Sequence, residues 1–226
     1  IGGFHVSGCL AMLPELPGDL REAMELGISL FAGEAEGRLD GLLQDAYRGE
    51  LKPLYDFMED LPDLRGAPSP RLSASQVQRT AGSTTSFDAG RGCPFECSFC
   101  TIINVQGRKS RFRTADDIER IIRSNLEQDV HKFFITDDNF SRNKVWEVLF
   151  DRMIRMREED GLAFTVTIQV DTLCHMIPRF IEMASRAGVD RVFIGLESIN
   201  PESLSESGKN QNNITEYRSM LQRWRE

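Results

Sequence analysis

Three cysteines lie close together near the middle of the chain, in the segment Gly90-Arg-Gly-Cys93-Pro-Phe-Glu-Cys97-Ser-Phe-Cys100. Thiolates at such short spacing are ligands of zinc or of iron–sulfur clusters. A [4Fe–4S] cluster has four irons, so three thiolates leave one iron open to bind another molecule. A structural zinc ion or a ferredoxin-type cluster would need a fourth ligand, and the distant Cys174 and His175 are better explained as residues at a helix start. The motif favours a cluster with one open iron, with a structural zinc loop as the alternative.

Polar side chains also stand where predicted strands end. In a parallel barrel the active site lies at the carboxyl ends of the strands, so we expect these side chains to meet in one site. Each of them taken alone could equally be a helix cap or a turn residue. The candidates are Asp137, Asp138, Gln169, Asp171, Glu197 and Ser198.

The elements that must position these residues alternate regularly from residue 80 onward. Apolar spacing predicts strands at residues 84–89, 132–136, 164–170 and 191–195. Helices are predicted to begin at a capping box formed by Thr114 and Asp117, at about residue 143, and near Pro178. Four successive βα units favour a parallel, barrel-type sheet over residues 80–226.

The first 50 residues have a different organisation. Ile1-Gly2-Gly3 resembles a strand end entering a tight turn, and helical spacing at residues 17–26 and 39–46 flanks an apolar run at 28–31. This β–α–β–α order predicts the tail of a doubly wound, Rossmann-like domain at 1–50. Residues 51–79 contain Pro53, Pro62, Pro68 and Pro70 and are predicted to form an extended linker.

Composition narrows the class of protein. The 226 residues are 40% hydrophobic and 27% charged, with a net charge of -8, which suits a globular protein with a real core. An acidic surface argues against sequence-independent binding to nucleic acid. No apolar run has the length of a membrane span, and no signal peptide opens the chain. Five cysteines, an odd number, do not suggest a disulfide framework, so cytoplasm is the expected compartment.

The cysteine motif, placed after a strand at the start of a βα barrel, resembles the radical S-adenosylmethionine superfamily. The resemblance implies that Cys93, Cys97 and Cys100 hold a [4Fe–4S] cluster whose open iron chelates S-adenosylmethionine, which is cleaved to methionine and a 5′-deoxyadenosyl radical. It also implies that Phe99 lies beside the adenine and that the polar residues at the strand ends contact S-adenosylmethionine. The basic run at 107–113 resembles the Gly-Arg segment of the family, and we expect it to be structural or to hold an anion.

The amino-terminal residues carry a second resemblance. Gly2-Gly3-Phe4-His5 followed by Gly33-Glu34-Ala35-Glu36 is similar to the last part of the cobalamin (B12)-binding domain that precedes many radical enzymes. It implies that Gly2 and Gly3 let the backbone approach the nucleotide tail of the corrin. The lower cobalt ligand would lie upstream, so His5 is not a candidate. Asp137-Asp138 in place of the common Gly-Gly-Glu fits the cobalamin-dependent branch better.

Together these resemblances predict a radical S-adenosylmethionine enzyme that carries out cobalamin-dependent methyl transfer or rearrangement of a small molecule. A reductant such as flavodoxin or ferredoxin is implied, and neither nucleic acid nor a membrane is expected as a partner. The alternatives are a methylthiotransferase-like enzyme acting on a macromolecule and a non-catalytic iron–sulfur or zinc scaffold. Both termini are interpreted as cut, with a helix in progress at 217–226, so the chain is expected to be a piece of a longer protein and a poor enzyme alone.

Overall fold

A computed structural model describes residues 1–69 and 71–226. The helices are α1 (Phe4–Met12), α2 (Gly18–Glu25), α3 (Leu39–Arg48), α4 (Ala74–Ala81), α5 (Ile102–Val105), α6 (Ala115–Leu126), α7 (Trp146–Glu158), α8 (Phe180–Arg186), α9 (Pro201–Glu206) and α10 (Tyr217–Arg225). The strands are β1 (Leu30–Ala32), β2 (Leu54–Asp56), β3 (Thr84–Phe87), β4 (Gly90–Arg91), β5 (Arg111–Phe112), β6 (Lys132–Ile135), β7 (Thr165–Val170) and β8 (Val189–Ile194). Over the described ranges, no helix has both the length and the apolar character that a membrane crossing requires.

The chain divides into two compact units. Residues 1–63 together with 99–108 form what we call the amino-terminal unit, and residues 64–98 together with 109–226 form the sheet unit. These limits differ from the predicted boundaries at 50 and 79, because β2 belongs with the first unit and α4 with the second. The assignment of 1–50, 51–79 and 80–226 to a cobalamin-domain remnant, a linker and a catalytic core stays a prediction.

The amino-terminal unit is built on two parallel strands. β1 pairs with β2, with Leu30 opposite Leu54, and Leu30 is buried against Val6 of α1 and Leu20 of α2. The predicted helices at 17–26 and 39–46 are α2 and α3, and Gly49, with φ of 73°, ends α3 in the left-handed conformation that glycine adopts readily. The predicted helix–strand–helix order over residues 17–46 is confirmed, but the whole unit has the order α1-α2-β1-α3-β2 and not β–α–β–α.

Helix α1 was not predicted. Ile1 makes two bonds of the kind found between strands, since its amino group donates to the Ser29 carbonyl at 2.8 Å and its carbonyl accepts from Phe31 N at 2.7 Å. Gly3, with φ of 90°, then turns the chain directly into α1. Residues 1–3 are predicted to be a strand end entering a tight turn; Ile1 makes strand-like bonds, but no strand is formed there, and the turn leads into a helix.

The prediction of an extended linker at 51–79 is wrong in two stretches. Tyr55 of β2 is buried, and its hydroxyl donates to Asp45 at 2.8 Å, so this stretch completes a sheet. Ser73 and Gln76 form a capping box that begins α4. The four prolines on which the prediction rests lie outside both of these elements. One of them, Pro70, lies outside the described residues.

The sheet unit contains a four-stranded parallel sheet in the order β3-β6-β7-β8. Side chains alternate along β7, so that Val166, Ile168 and Val170 are buried against the helices. The sheet order equals the chain order, as expected when each strand is followed by a helix crossing to the next. The predicted α/β class and the partial βα barrel arrangement are confirmed.

The three predicted helix starts in this unit can be compared with the structure, and the one predicted near Pro178 is α8, which begins at Phe180. Thr114 and Asp117 form the predicted capping box at the start of α6. Helix α7 begins at Trp146 instead of 143, because a short 3-10 turn at Phe140–Arg142 precedes it and the Asn143 side chain accepts from Val145 N at 3.1 Å. The residues between β6 and α7 are therefore not α-helical, and their side chains contact the ends of the strands.

Candidate active site at the carboxyl end of the sheet

Asp137, at the end of β6, fixes the start of the cysteine loop. Its Oδ1 accepts from the backbone amides of Ala89 and Gly90 at 2.6 and 2.7 Å, and its Oδ2 accepts from Asn143 Nδ2 at 3.0 Å. Burial raises the pKa of Asp137 to about 7, against the opposing effect of these hydrogen bonds. The carboxyl group therefore acts first as a clamp on the backbone that leads to Cys93.

Gly90 allows this clamp to form. A Cβ at Gly90 would lie 2.7 Å from Asn143 Nδ2 and 2.8 Å from the Arg111 carbonyl, closer than any side chain can approach. Gly90 and Arg91 form β4, which pairs antiparallel with β5. The chain thus enters the cysteine loop through a site that only glycine fits.

Arg113 stabilises the same start of the cysteine loop through Asp88. Its guanidinium is almost fully buried, at 1% exposure, and donates from Nε to the Asp88 carbonyl at 2.9 Å and from Nη1 to the Ala67 carbonyl at 2.6 Å. Nη2 donates to Asp88 Oδ1 at 3.1 Å. The last residue of the basic run at 107–113 therefore has a structural role. This is one of the two roles expected for the run, the other being to hold an anion.

Asp171, at the end of β7, is the centre of a second buried network. Arg142 donates to it through Nε at 2.6 Å and Nη2 at 2.9 Å, in a bidentate pair. Asn139 Nδ2, Ser141 Oγ and Leu173 N also donate to this carboxylate. Burial alone would raise the pKa of Asp171, but the Arg142 pair and these hydrogen bonds lower it. Protein groups occupy its acceptor positions, so contact with S-adenosylmethionine stays a prediction.

Cys93 and Cys97 lie in the part of the loop that belongs to the sheet unit. Cys97 is 8% exposed, and Gln211 Nε2 lies 3.7 Å from its sulfur. Ser98 N donates to the Ser207 carbonyl at 2.9 Å, and a Cβ at Gly208 would lie 2.7 Å from the Glu96 carbonyl. The turn after α9 is therefore packed closely against this half of the loop.

Phe99 and Cys100 belong to the segment that groups with the amino-terminal unit. Phe99 is half-exposed, and the Cys100 carbonyl accepts from Asn104 Nδ2 at 3.1 Å. All five cysteines are free thiols. Within residues 1–69 and 71–226, the structure does not gather three His, Cys, Asp or Glu side chains into a metal-binding group.

The donor set still fits a cluster better than zinc. Three free thiols in eight consecutive positions supply three iron ligands, whereas zinc needs four. Cys174 is buried in a 3-10 turn, Cys174–Met176, and burial raises the pKa of its thiol to about 12. Cys174 belongs to the buried apolar core of the sheet unit, so its sulfur is not available to complete a site in the cysteine loop.

Glu197 is placed by an unusual backbone conformation. Its φ of 59° lies in the left-handed region, which a residue with a Cβ seldom adopts and which is found at functional sites. Its Oε1 accepts from Lys209 Nζ, and Lys209 is buried. A Cβ at Gly195 would lie 2.9 Å from Lys209 Nζ, so this glycine makes room for the ion pair. The pair offers both a cation and a carboxylate beyond the end of β8.

The remaining predicted side chains have more modest contacts. Gln169 Nε2 donates to the Asp137 carbonyl at 3.2 Å, which ties the ends of β6 and β7 together. Ser198 Oγ accepts from Asn200 N at 3.0 Å, a turn role that the sequence left open. Asp138 is half-buried beside the Asp137 clamp. Asp137, Gln169 and Asp171 thus lie together at the carboxyl ends of β6 and β7.

Sequence reasoning missed three side chains that complete these networks, Arg142, Lys209 and Gln211. Arg142 lies five positions after Asp137, in a segment that the sequence assigned to the approach of a helix. Lys209 and Gln211 follow α9, where only a turn would be expected. Their polar partners come from segments distant in the chain, so no spacing rule could have paired them.

A cavity of about 610 Å³ lies beside Gly2 and Gly3 in the amino-terminal unit. Its walls are largely apolar and include Leu39, Leu42 and Leu51. A Cβ at Gly2 would lie 3.1 Å from the Phe31 carbonyl, and one at Gly33 would lie 2.8 Å from the Phe57 carbonyl carbon. Glycine at positions 2 and 33 therefore allows the protein's own backbone to approach closely, whereas an added Cβ at Gly3 would meet nothing within 4 Å. The apolar walls and the open space beside Gly3 fit a large apolar group such as part of cobalamin.

Residues 88–226, more than half of the chain, match the family model described as the Radical SAM superfamily. Bacteriochlorophyllide d C-12(1)-methyltransferase of Chlorobaculum tepidum is 29% identical over 200 residues, which cover 85% of this chain and 42% of that protein. Hopanoid C-2 methylase of Rhodopseudomonas palustris is 23% identical over 217 residues, covering 94% of this chain and 39% of that protein. The chain therefore spans less than half the length of these relatives.

Solved structures show the same fold. The radical S-adenosylmethionine methyltransferase TsrM from Kitasatospora setae, with tryptophan substrate and a SAM analogue bound, superposes with a TM-score of 0.76 at 18% identity, covering 99% of this chain and 47% of that chain. The cobalamin-dependent S-adenosylmethionine radical enzyme OxsB, with aqua-cobalamin and S-adenosylmethionine bound, gives 0.69 at 16% identity, covering 99% of this chain and 34% of that chain. At these identities the likeness concerns the fold.

Proposed function

Because the chain belongs to the Radical SAM superfamily, we propose that Cys93, Cys97 and Cys100 hold a [4Fe–4S] cluster used to cleave S-adenosylmethionine. The observation that carries the proposal is three free thiols in a short loop that begins at the carboxyl end of a parallel sheet. When bound, such a cluster supplies the electron that breaks the sulfonium C–S bond, giving methionine and a 5′-deoxyadenosyl radical.

The residues of this chain have distinct tasks in that proposal. The three thiolates would bind three irons of the cluster, and the fourth iron would be left to bind the amino and carboxylate groups of S-adenosylmethionine. Asp137 holds the loop entrance by its bonds to Ala89 and Gly90. Phe99, half-exposed, would lie beside the adenine.

The polar groups at the strand ends would bind the rest of S-adenosylmethionine. The Glu197–Lys209 pair can accept from a ribose hydroxyl or an ammonium through the carboxylate and can bind a carboxylate through the ammonium. In our proposal Asp138 accepts from the methionyl amine. In our proposal Gln169 and Ser198 line the same edge, and Asp171 acts through Arg142.

Cobalamin is part of the proposal for the amino-terminal unit. Gly2 and Gly3 border the apolar cavity of about 610 Å³, which would take part of the corrin or its nucleotide tail. When bound, cobalamin carries a methyl group to the substrate. The chain's own contribution there is shape: largely apolar walls, and open space beside Gly3, where an added Cβ would meet nothing within 4 Å.

We propose methyl transfer, or a rearrangement, on a small-molecule substrate as the reaction of the whole protein. The curated relatives support methyl transfer, since they include methyltransferases of bacteriochlorophyllide d and of hopanoids. The catalytic cycle needs an external one-electron donor such as flavodoxin or ferredoxin. Thiolate ligands must stay reduced, so the cytoplasm is the proposed compartment.

The deciding experiment is anaerobic reconstitution with iron and sulfide, followed by assay of 5′-deoxyadenosine and methionine. The wild-type protein should bind about four irons and cleave S-adenosylmethionine in the presence of a reductant. Cys97→Ala should lose the brown charge-transfer absorbance and the cleavage. Cys174→Ala is the matched control and should keep both, because its sulfur is packed in the apolar core of the sheet unit.

Two outcomes would contradict the proposal. A protein in which all three loop cysteines are replaced by alanine and which still binds four irons would remove the ligand assignment. A wild-type protein that loads a cluster but neither binds nor cleaves S-adenosylmethionine would favour the non-catalytic iron–sulfur scaffold.

A further inference from the structure

The guanidinium of Arg142 is held rigidly on one side. Its Nε and Nη2 donate to the two oxygens of Asp171 at 2.6 and 2.9 Å, and the Arg142 and Asp171 side chains are only 26% and 4% exposed. Asn139 and Ser141 hold the same carboxylate. A bidentate pair fixes the plane of the guanidinium as well as its position.

Arg142 also contacts the cysteine loop. Its Cζ lies 5.4 Å from the centroid of the Phe95 ring, within the range of a cation–π contact. Phe95 lies between Cys93 and Cys97, so it is part of the short stretch that joins two proposed ligands. A single side chain therefore connects the end of β7 to the middle of the loop.

We propose that Arg142 is the positioning residue of the cluster loop: paired with Asp171, it holds Phe95 and thereby fixes the stretch between Cys93 and Cys97. The inference rests on the proposed function, because it concerns the geometry of the cluster ligands. Phe95 is held from the sheet unit alone, so the contact does not depend on Cys100. The role requires a planar cation that binds a carboxylate in a bidentate way and also stacks on a ring. The lysine ammonium cannot do both.

The test compares Phe95→Leu, Arg142→Lys and the double variant with the wild-type protein after anaerobic reconstitution. Phe95→Leu removes the ring but leaves the Arg142–Asp171 pair intact, so no buried charge loses its partner. The first measurement is the rate at which a chelator strips iron. We expect each single variant to lose its cluster about two- to fivefold faster, the range of one cation–π contact, and the double variant no faster than Arg142→Lys.

The second measurement is the electron paramagnetic resonance spectrum of the reduced cluster with and without S-adenosylmethionine. A loop that is no longer fixed should give broadened or split signals in both single variants, which a loss of overall stability would not produce. Arg186→Ala is the matched control, because it removes an exposed bidentate pair with Glu158 away from the loop. Its stripping rate and spectrum should equal those of the wild-type protein.

The outcomes separate this inference from the proposed function. If the wild-type protein loads no cluster, the proposed function fails. If it loads a cluster, but Phe95→Leu and Arg142→Lys match it in stripping rate and spectrum, only the positioning role fails. Additive effects in the double variant would also overturn it, since the two side chains would then act separately.

Discussion

Two buried carboxyl groups at the carboxyl end of the sheet have pKa values that are shifted in opposite directions. Burial raises the pKa of Asp137 to about 7, because the amide groups that donate to it lower the pKa by less than burial raises it. The pKa of Asp171 is lowered in spite of burial, because Arg142 places a full positive charge against it. At neutral pH the first group is therefore partly protonated and the second is an anion.

The Asp137 clamp predicts a pH-dependent stability. Its folded pKa exceeds its ordinary value of 3.8, so the contribution is complete below pH 3.8 and is lost as pH rises through about 7. Asp137→Asn should flatten the fall in unfolding free energy over that window, which is at most about 1.4 kcal/mol for each pH unit. Urea unfolding at several pH values measures the slope.

The exposed Asp190 provides the control for this experiment. Asp190→Asn keeps the buried carboxyl and should leave the wild-type slope unchanged. If Asp137→Asn retains the full wild-type slope, the group does not titrate in this window.

Binding of S-adenosylmethionine tests the residues at the strand ends. Asp138→Ala and Glu197→Ala should each weaken binding about tenfold, or roughly 1.4 kcal/mol, with iron content unchanged. Glu202→Ala, on the exposed first turn of α9, should not change affinity. Calorimetry on the reconstituted protein provides the affinities; unchanged values in both site variants would return these residues to turn and capping roles.

At the scale of elements, α6 depends on its first turn. Thr114 Oγ1 accepts from Asp117 N at 3.1 Å, and Asp117 is buried and accepts from Gly66 N at 3.0 Å. The cap thus joins the helix to the preceding segment as well as to its own backbone. Ile118 and Ile122 of α6 are fully buried in the core, so the start of this helix sets the position of core residues.

Thr114→Ala should lower the unfolding free energy by about 1 kcal/mol, the usual value of a lost helix cap. Ser73→Ala removes the capping box of α4, whose cap residues are exposed, and should have a smaller effect because α4 can fray locally. Thermal and urea unfolding of both variants would measure the difference. Equal losses would mean that the buried partner of the first cap adds nothing.

At the scale of the whole molecule, the sheet is open. Among the described residues, β3 and β8 pair on one side only, and Phe193 of β8 is 62% exposed and lies with its ring centroid 5.9 Å from that of Phe134. Open sheet edges and exposed aromatic side chains promote association between chains.

Phe193→Ser should therefore reduce self-association of the purified chain, seen as a lower concentration dependence of its mass in light scattering. Val148→Ser on α7 removes an apolar side chain of similar exposure that lies away from the sheet face, and it is the control. If the two variants associate equally, the sheet face is not the contact.

The sequence alone determined the parts of this protein that depend on local pattern. The cysteine spacing, the alternation along β7 and the capping box at Thr114 are each set by residues a few positions apart, and each can be read without the fold. Only the tertiary structure decided the parts that depend on distant partners. β2 is three residues long and exists because β1 lies beside it, and Arg142, Asp171 and Phe95 meet although they come from three separate loops. The same holds for Glu197, which is predicted to contact S-adenosylmethionine. Its side chain is held by an ion pair with Lys209, which no periodicity in the sequence indicates.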